Sequence, residues 1–413
     1  MQAKRITHNK IIAMTSKVKG KSAGQWLPLI GLACSAFVFN TSEFMPIGLL
    51  SDIASDLHIS AARAGMLITV YAWIVALMSL PLMIMASRLE LKRLLLGIVA
   101  LFVVSHVGSA LATGYYTLML SRAGVACAHS IFWSIVSPMA VRTVSAERRA
   151  LALSVVATGS SIAMVVGLPL GRVIGLYVGW RATFLCIGIV AAVLFVYLAA
   201  VLPRLESRGR FSPRRVPQLL RNRVLAGVFV MSVLFATAHY TCYSYIEPFL
   251  GKIAGMTPDT VTLTLIIFGA SGLLGSIAFS KWYMVNRYRF IAIVTVGPPM
   301  AMLLMHASAS TFWTVTAACV VWGSMSTAFN VAFQDSTMRY APAEATSVAM
   351  SIFSGIFNLG IGLGAYIGAR VVTNVSLSSV GYFGGAIGLA AAAYCLLRLF
   401  PQMRQREEVD GEM

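Results

Sequence analysis

The chain has 413 residues, of which 58% are hydrophobic and only 11% charged, with a mean hydropathy of +0.81. A water-soluble domain carries about 25% charged residues, so this composition excludes an ordinary soluble enzyme surface. The formal net charge of +18 points first to nucleic acid, but the positive residues gather in alternate connections between apolar runs, which excludes that reading.

Residues 1–25 form a basic tail with Lys4, Arg5, Lys10, Lys17, Lys19 and Lys21, and Met14 within it is a second candidate start. The apolar run 26–50 is about twice as long as a signal-peptide core and lacks a small-residue cleavage site, so it reads as a first membrane span. Runs long enough for a roughly 30 Å hydrocarbon core then follow at 64–86, 94–112, 117–141, 150–174 and 181–202. Residues 203–223 form a linker with Pro203, Pro213, Pro217 and a dense arginine cluster from Arg204 to Arg223. A second set of spans is expected at 224–250, 261–281, 290–308, 311–334, 347–371 and 379–399, before a tail at 401–413. The expected fold class is therefore an all-α membrane protein of 12 helices, in two six-helix halves at 26–202 and 224–400. A faint repeat supports the division: Pro46 and Pro248 are each expected to close the first helix of a half.

Most of the 32 Lys and Arg lie in the tails, the linker and the connections at Arg88–Arg93, Arg142–Arg149, Lys281–Arg289 and Arg339. The intervening connections hold only Arg63, Arg172, Arg181, Lys252 and Arg370. By the positive-inside rule both termini are expected in the cytoplasm. The six cysteines (Cys34, Cys127, Cys186, Cys242, Cys319 and Cys395) fall within apolar spans without a CxxC, and helix packing explains them.

The polar residues inside these spans are the functional candidates. Glu43 and Glu247 are the two carboxylates within the expected spans. A carboxylate at depth costs roughly 2.5–3.5 kcal/mol, so Glu43 needs a use or a partner. Two readings stand: a site that binds and releases a proton, or a structural group hydrogen-bonded near the surface. Asn40 lies one turn earlier on the same face. Span seven carries His239, Tyr243 and Glu247 at i, i+4 and i+8, with Tyr240 beside them. Such a face offers donors, acceptors and an aromatic plate, which sugar hydroxyls and C–H faces require; for Glu247 the plain alternative is a solvated helix end. Span eleven shows Ser347, Ser351, Ser354, Asn358 and Gly362 on one stripe, either solute contact or interhelical glue. Span ten adds Asn330 and Gln334. Span four aligns Arg122, His129 and Trp133; the buried Arg must find an acceptor, and Trp133 either stacks on a solute ring or packs. His106 and His306 read as structural.

Residues 122–149, RAGVACAHSIFWSIVSPMAVRTVSAERR, and 159–171, GSSIAMVVGLPLG, resemble the fourth- and fifth-helix motifs of major facilitator drug/proton antiporters, followed by GWRATF at 179–184. The loop ASRLELKRLLL at 86–96 keeps that family's basic residues but lacks its Asp. FNTSEFMPIGLLSDIA (39–54), HYTCYSYIEPFLGKIAG (239–255) and SGIFNLGIGLGA (354–365) resemble the bacterial sugar efflux transporters, over residues 26–400. The resemblance implies a multi-pass protein of the bacterial inner membrane, working as a monomer, that exchanges protons for small neutral sugars such as arabinose-type sugars and thiogalactosides. Glu43 and Arg122 would couple the proton. Asn40, His129, Trp133, His239, Tyr240, Tyr243, Glu247, Asn330, Ser354 and Asn358 would hold the sugar. Efflux of drugs, nucleosides or other metabolites on the same scaffold is the rival reading, and a sugar sensor a more distant one. No paired carboxylates, nucleophile constellation or metal cluster is legible, so no enzyme activity and no cofactor is expected.

Overall fold

A chain crossing hydrocarbon must satisfy its backbone polar groups internally, and a helix does so within one segment. The computed structural model describes residues 26–86, 89–145, 148–205, 216–342 and 346–411, and among these residues there are helices and connections but no strand. The first half runs α1 (Trp26–Gly48), α2 (Leu50–Asp56), α3 (Ala61–Ala86), α4 (Leu91–Ala110), α5 (Tyr115–Arg142), α6 (Arg149–Ile162), α7 (Leu168–Val178) and α8 (Trp180–Val201). The linker holds a short α9 (Val216–Arg221). The second half runs α10 (Arg223–Tyr243), α11 (Ile246–Lys252), α12 (Pro258–Trp282), α13 (Arg287–Ser308), α14 (Phe312–Tyr340), α15 (Thr346–Asn374), α16 (Val380–Tyr394) and α17 (Phe400–Gly411). Eleven helices among the described residues are long and apolar enough to cross a bilayer, and a bent pair, Val155–Gly167 and Pro169–Val178 meeting at 43°, makes up a twelfth. The basic tail 1–25 and the linker arginines from Arg208 to Arg215 lie outside the described residues.

The bend in the fifth crossing follows from its sequence. A π-turn at Ala163–Gly167 precedes Pro169, and the wider turn accommodates the missing proline N–H. Glycines let this crossing lie directly on α1. A Cβ on Gly159 would strike the Ala33 carbonyl, and one on Gly167 would meet Thr41. The same device closes the chain. A π-turn at Cys395–Leu399 precedes Pro401, and helix continues through Gly411, where a tail was expected from residue 401. The segment QMRQREE is rich in good helix formers, and its Glu407 accepts hydrogen bonds from Arg287, from Tyr288 (2.8 Å) and from Tyr340 (2.7 Å). The tenth crossing likewise runs to Tyr340 instead of stopping at 334, with the Ser336 and Thr337 hydroxyls bonding back to Ala332 and Phe333 carbonyls.

Each half opens with a broken helix, but the two prolines act differently. Pro46 stays inside α1, which breaks three residues later at Leu49. Pro248 follows its break and sits in the first turn of α11, where no N–H is needed. The short helices α2 and α11 meet at the end of the bundle remote from the linker. This far end holds the larger contacts between the halves: α2 with α11, α7 and its π-turn with α12, and α3 with α15. Gly362 lies against Trp73 and Thr69, and the Tyr245 hydroxyl, bonded to the Ala365 carbonyl at 3.2 Å, sits beside Gly65. Toward the linker end Ser351 and Ser354 of α15 are exposed. At that end Glu90, at the start of α4, ties the 86–96 loop to the end of the sixth crossing. Its carboxylate accepts from the Leu205 N–H at 2.9 Å, while Lys92 donates to the Leu202 carbonyl at 2.7 Å.

Candidate functional site

In the first half the polar residues of α1, α3, α4 and α5 converge. Arg122 is 2% exposed. A guanidinium so buried must spend its donors on protein, and it donates to the Ser42 carbonyl at 3.1 Å and the Ser42 hydroxyl at 3.3 Å. Ser42 in turn bonds His106 Nε2 at 2.8 Å, and His106 Nδ1 lies 2.9 Å from the Phe102 carbonyl. A carbonyl only accepts, so His106 carries its proton on Nδ1 and takes the serine hydroxyl proton at Nε2. The chain Arg122–Ser42–His106–Phe102 therefore has one direction. It clamps α1 one residue before Glu43.

Glu43 itself makes no ion pair with Arg122 among those of the described residues; its nearest basic neighbour is His129, with Oε2 3.5 Å from Nε2. Trp133 Nε1, which can only donate, points at the same His129 Nε2 from 2.7 Å. That ring nitrogen is therefore a lone pair, and a charged carboxylate facing it would be repelled; the arrangement suits a Glu43 that carries a proton. Tyr71 covers the group from α3, with Arg122 4.6 Å above its ring and His129 edge-on at 5.7 Å. The Tyr71 hydroxyl, Arg122 Nε and His129 Nδ1 are buried without a protein partner. Three idle donors thus gather beside one carboxylate in the interior of the first half.

The second half faces it with aromatic groups. Trp322 Nε1 donates to His239 Nδ1 at 3.1 Å, and Ser326 reaches the same atom at 3.2 Å. His239 consequently holds its proton on Nε2. Tyr243, Phe268 and Trp322 close around it, with Tyr243 stacked on Phe268 at 5.0 Å and Trp322 edge-on to Phe268 at 5.3 Å. Tyr240 bridges the halves. It lies edge-on to His239 at 5.0 Å, parallel to Phe44 at 6.5 Å, and within electrostatic range of Glu43. Glu43 and His239 thus belong to one interior region. Asn358 is buried on α15, its amide bonded to the Ser354 carbonyl and its Oδ1 unpartnered. Two residues on, Gly360 packs against Ala236 and Val233 of α10. Ser354 is exposed, and half-buried Asn330 accepts a hydrogen bond from Gln334 one turn along α14, toward the linker end.

Two expected solute contacts are engaged elsewhere. Asn40 donates to Ser160 on α6, a helix-to-helix bond within the first half. Glu247 is not solvated at a helix end. It pairs with Arg172 at 2.9 Å, with side chains 6% and 4% exposed, and accepts the Ser51 N–H at 3.2 Å. Arg172 Nη1 also donates to the Gly48 carbonyl at 2.7 Å. This knot joins α7 and α1–α2 of one half to α11 of the other, so Glu247 closes the far end instead of lining the interior. Beside it, Asp52 Oδ2 is buried and unpartnered. Burial raises the Asp52 carboxyl above its ordinary range, and the Arg172 charge opposes that rise. Sequence reasoning missed Arg172, Asp52, Ser42, Tyr71 and Trp322. An arginine inside the expected span 150–174 was the available signal for the first.

These two facing walls, closed at one end by an ion pair, lie within a chain that matches the family model described as Major Facilitator Superfamily over residues 32–353. The chain belongs to that superfamily. It is a multi-pass membrane transporter of all-helical fold. Solved structures of similar fold include a POT family transporter in complex with 5-aminolevulinic acid, at TM-score 0.76 and 12% identity, covering 92% of this chain and 96% of that one. Another is a POT family transporter in complex with a thioalcohol-conjugated peptide (TM-score 0.74, 12% identity, 91% and 96% covered). A point mutant of peptide transporter POT gives TM-score 0.75 at 13% identity, covering 91% and 94%. At such identities the likeness is one of fold and not of cargo.

Proposed function

We propose that this transporter is a proton-coupled exporter of small neutral solutes of the sugar class, with both termini in the cytoplasm of a bacterial cell. The observation that carries the reading is Glu43: a carboxylate with 10% exposed side chain, set against His129 and facing Tyr240 across the two halves. Its proton enters when the far end opens to the periplasm and leaves when the linker end opens. Arg122 fixes the backbone beside it, and Tyr71 and His129 supply the idle donors that water or the acid can use. His239, Tyr243 and Asn358 furnish hydroxyl-matching groups and an aromatic plate on the opposite wall. Exchange of one proton for a neutral solute moves one charge; at 100 mV that is about 2.3 kcal/mol, or roughly a 50-fold gradient. The solute leaves through the periplasmic end, so the chain resides in the inner membrane.

Efflux of amphipathic drugs or nucleosides is the second reading, favoured by the Tyr243–Phe268–Trp322 cluster. Uptake into inverted vesicles with a panel of sugars and drugs, with and without a pH gradient, separates the two. Glu43→Gln is expected to abolish proton-driven uptake and to leave solute binding within about threefold of wild type. Full proton-dependent transport by that variant removes Glu43 from the mechanism.

A further inference from the structure

The knot at the far end raises a question of charge. Arg172 is almost fully buried and has Glu247 as its ion-pair partner, on the other half. When the halves part there, Glu247 departs with α11. A buried guanidinium left with only the Gly48 carbonyl would hold that end shut. The first half carries a replacement. Asp52 sits on α2, which remains with α7; it lies within electrostatic range of Arg172, and its Oδ2 is buried with no hydrogen-bond partner in the closed arrangement. Asp52 also feels Glu247 as a like charge, so the two carboxylates compete for one cation.

We propose that Asp52 is a positioning residue for the transport cycle, the acceptor to which Arg172 transfers when Glu247 withdraws. The exchange keeps Arg172 paired on both sides of the movement, so opening the far end requires no unpaired buried charge. The proposal rests on the alternating movement of the halves set out above, but not on the identity of the solute or on proton coupling. It separates the three charged groups by role: Glu247 stabilises the closed state, Asp52 the open one, and Arg172 serves both.

The test uses the full chain in lipid nanodiscs, with Ala72→Cys as reporter. Ala72 is 1% exposed, in the apolar cluster shared by the two halves, so a water-soluble maleimide reaches it only when the far end opens. Peptide mass spectrometry reads labelling at position 72 separately from the native cysteines. Asp52→Asn, isosteric and checked for monodisperse elution, is expected to slow labelling about tenfold, the scale of one charge-assisted bond to a buried group. Glu247→Gln keeps an amide oxygen for Arg172, and Asp52→Asn is expected to slow labelling in that background too. With Arg172→Gln and Glu247→Gln combined, Asp52→Asn should change labelling less than twofold. If Asp52→Asn leaves labelling unchanged in the otherwise native chain, the exchange is overturned. It is overturned equally if the effect vanishes with Glu247→Gln, which would reduce Asp52 to a source of repulsion, or if it survives without Arg172. Should position 72 resist labelling in every variant, including Glu247→Gln, the alternating movement itself fails and this proposal falls with it.

Discussion

Glu247→Gln tests whether the far end is held by charge. The native carboxylate receives Arg172 at 2.9 Å on one oxygen and the Ser51 N–H at 3.2 Å on the other, in a site that water barely enters. A hydrogen bond to a charged group contributes about 1.5–3 kcal/mol net. The amide keeps one acceptor and the shape, so the loss is set near the middle of that range, about 2 kcal/mol. At 1.4 kcal/mol per factor of ten this raises the open-to-closed ratio about 30-fold. Spin labels at Leu111→Cys and Trp313→Cys, both exposed and on opposite halves at the far end, report the separation by pulsed electron resonance once Cys34 and Cys186 are replaced. A longer-distance population should appear in the variant. Because the pair is buried, added salt should alter it little. A distance distribution indistinguishable from the unsubstituted chain would refute the charge-gate reasoning.

Two further outcomes follow from packing and hydrogen bonding. Gly159→Val drives methyl groups into the Ala33 backbone, which cannot swing aside as a side chain can; overpacking of this kind costs about 1–3 kcal/mol, and a melting temperature in detergent equal to wild type would contradict the contact. Trp322→Phe removes the donor to His239 Nδ1 while keeping an aromatic ring, so calorimetric solute affinity should fall about three- to tenfold with secondary structure intact, and unchanged affinity would take His239 out of the solute wall.

The polar residues that stood out in the sequence did so because hydrocarbon makes each of them costly. Glu43, Arg122 and His239 were legible on that ground; Arg122 and His239 are buried, and the Glu43 side chain is 10% exposed. The GSSIAMVVGLPLG segment was legible as a kinked, close-packing helix, and the 43° bend and the glycine contacts with α1 match it. What residue types do not disclose is the partner. Asn40 and Glu43 share a face of α1, yet Asn40 turns to Ser160 and Glu43 to His129. His106, read as structural, proves to be the acceptor that orients Ser42 under Arg122. Trp322 is one apolar residue among many in its span until the fold sets it beside His239.

The number of spans, their apolar character and the membrane setting were written in the sequence, because transfer from water to hydrocarbon is a sum over local residues. The ion pair that shuts one end was not. Ser51 and Glu247 are 196 positions apart, and Arg172 and Glu247 are 75 apart. No periodicity connects them; only the docking of one half on the other brings those charges within bonding distance. Burial energy chooses the helices one by one, whereas the geometry of two rigid halves chooses which charges meet.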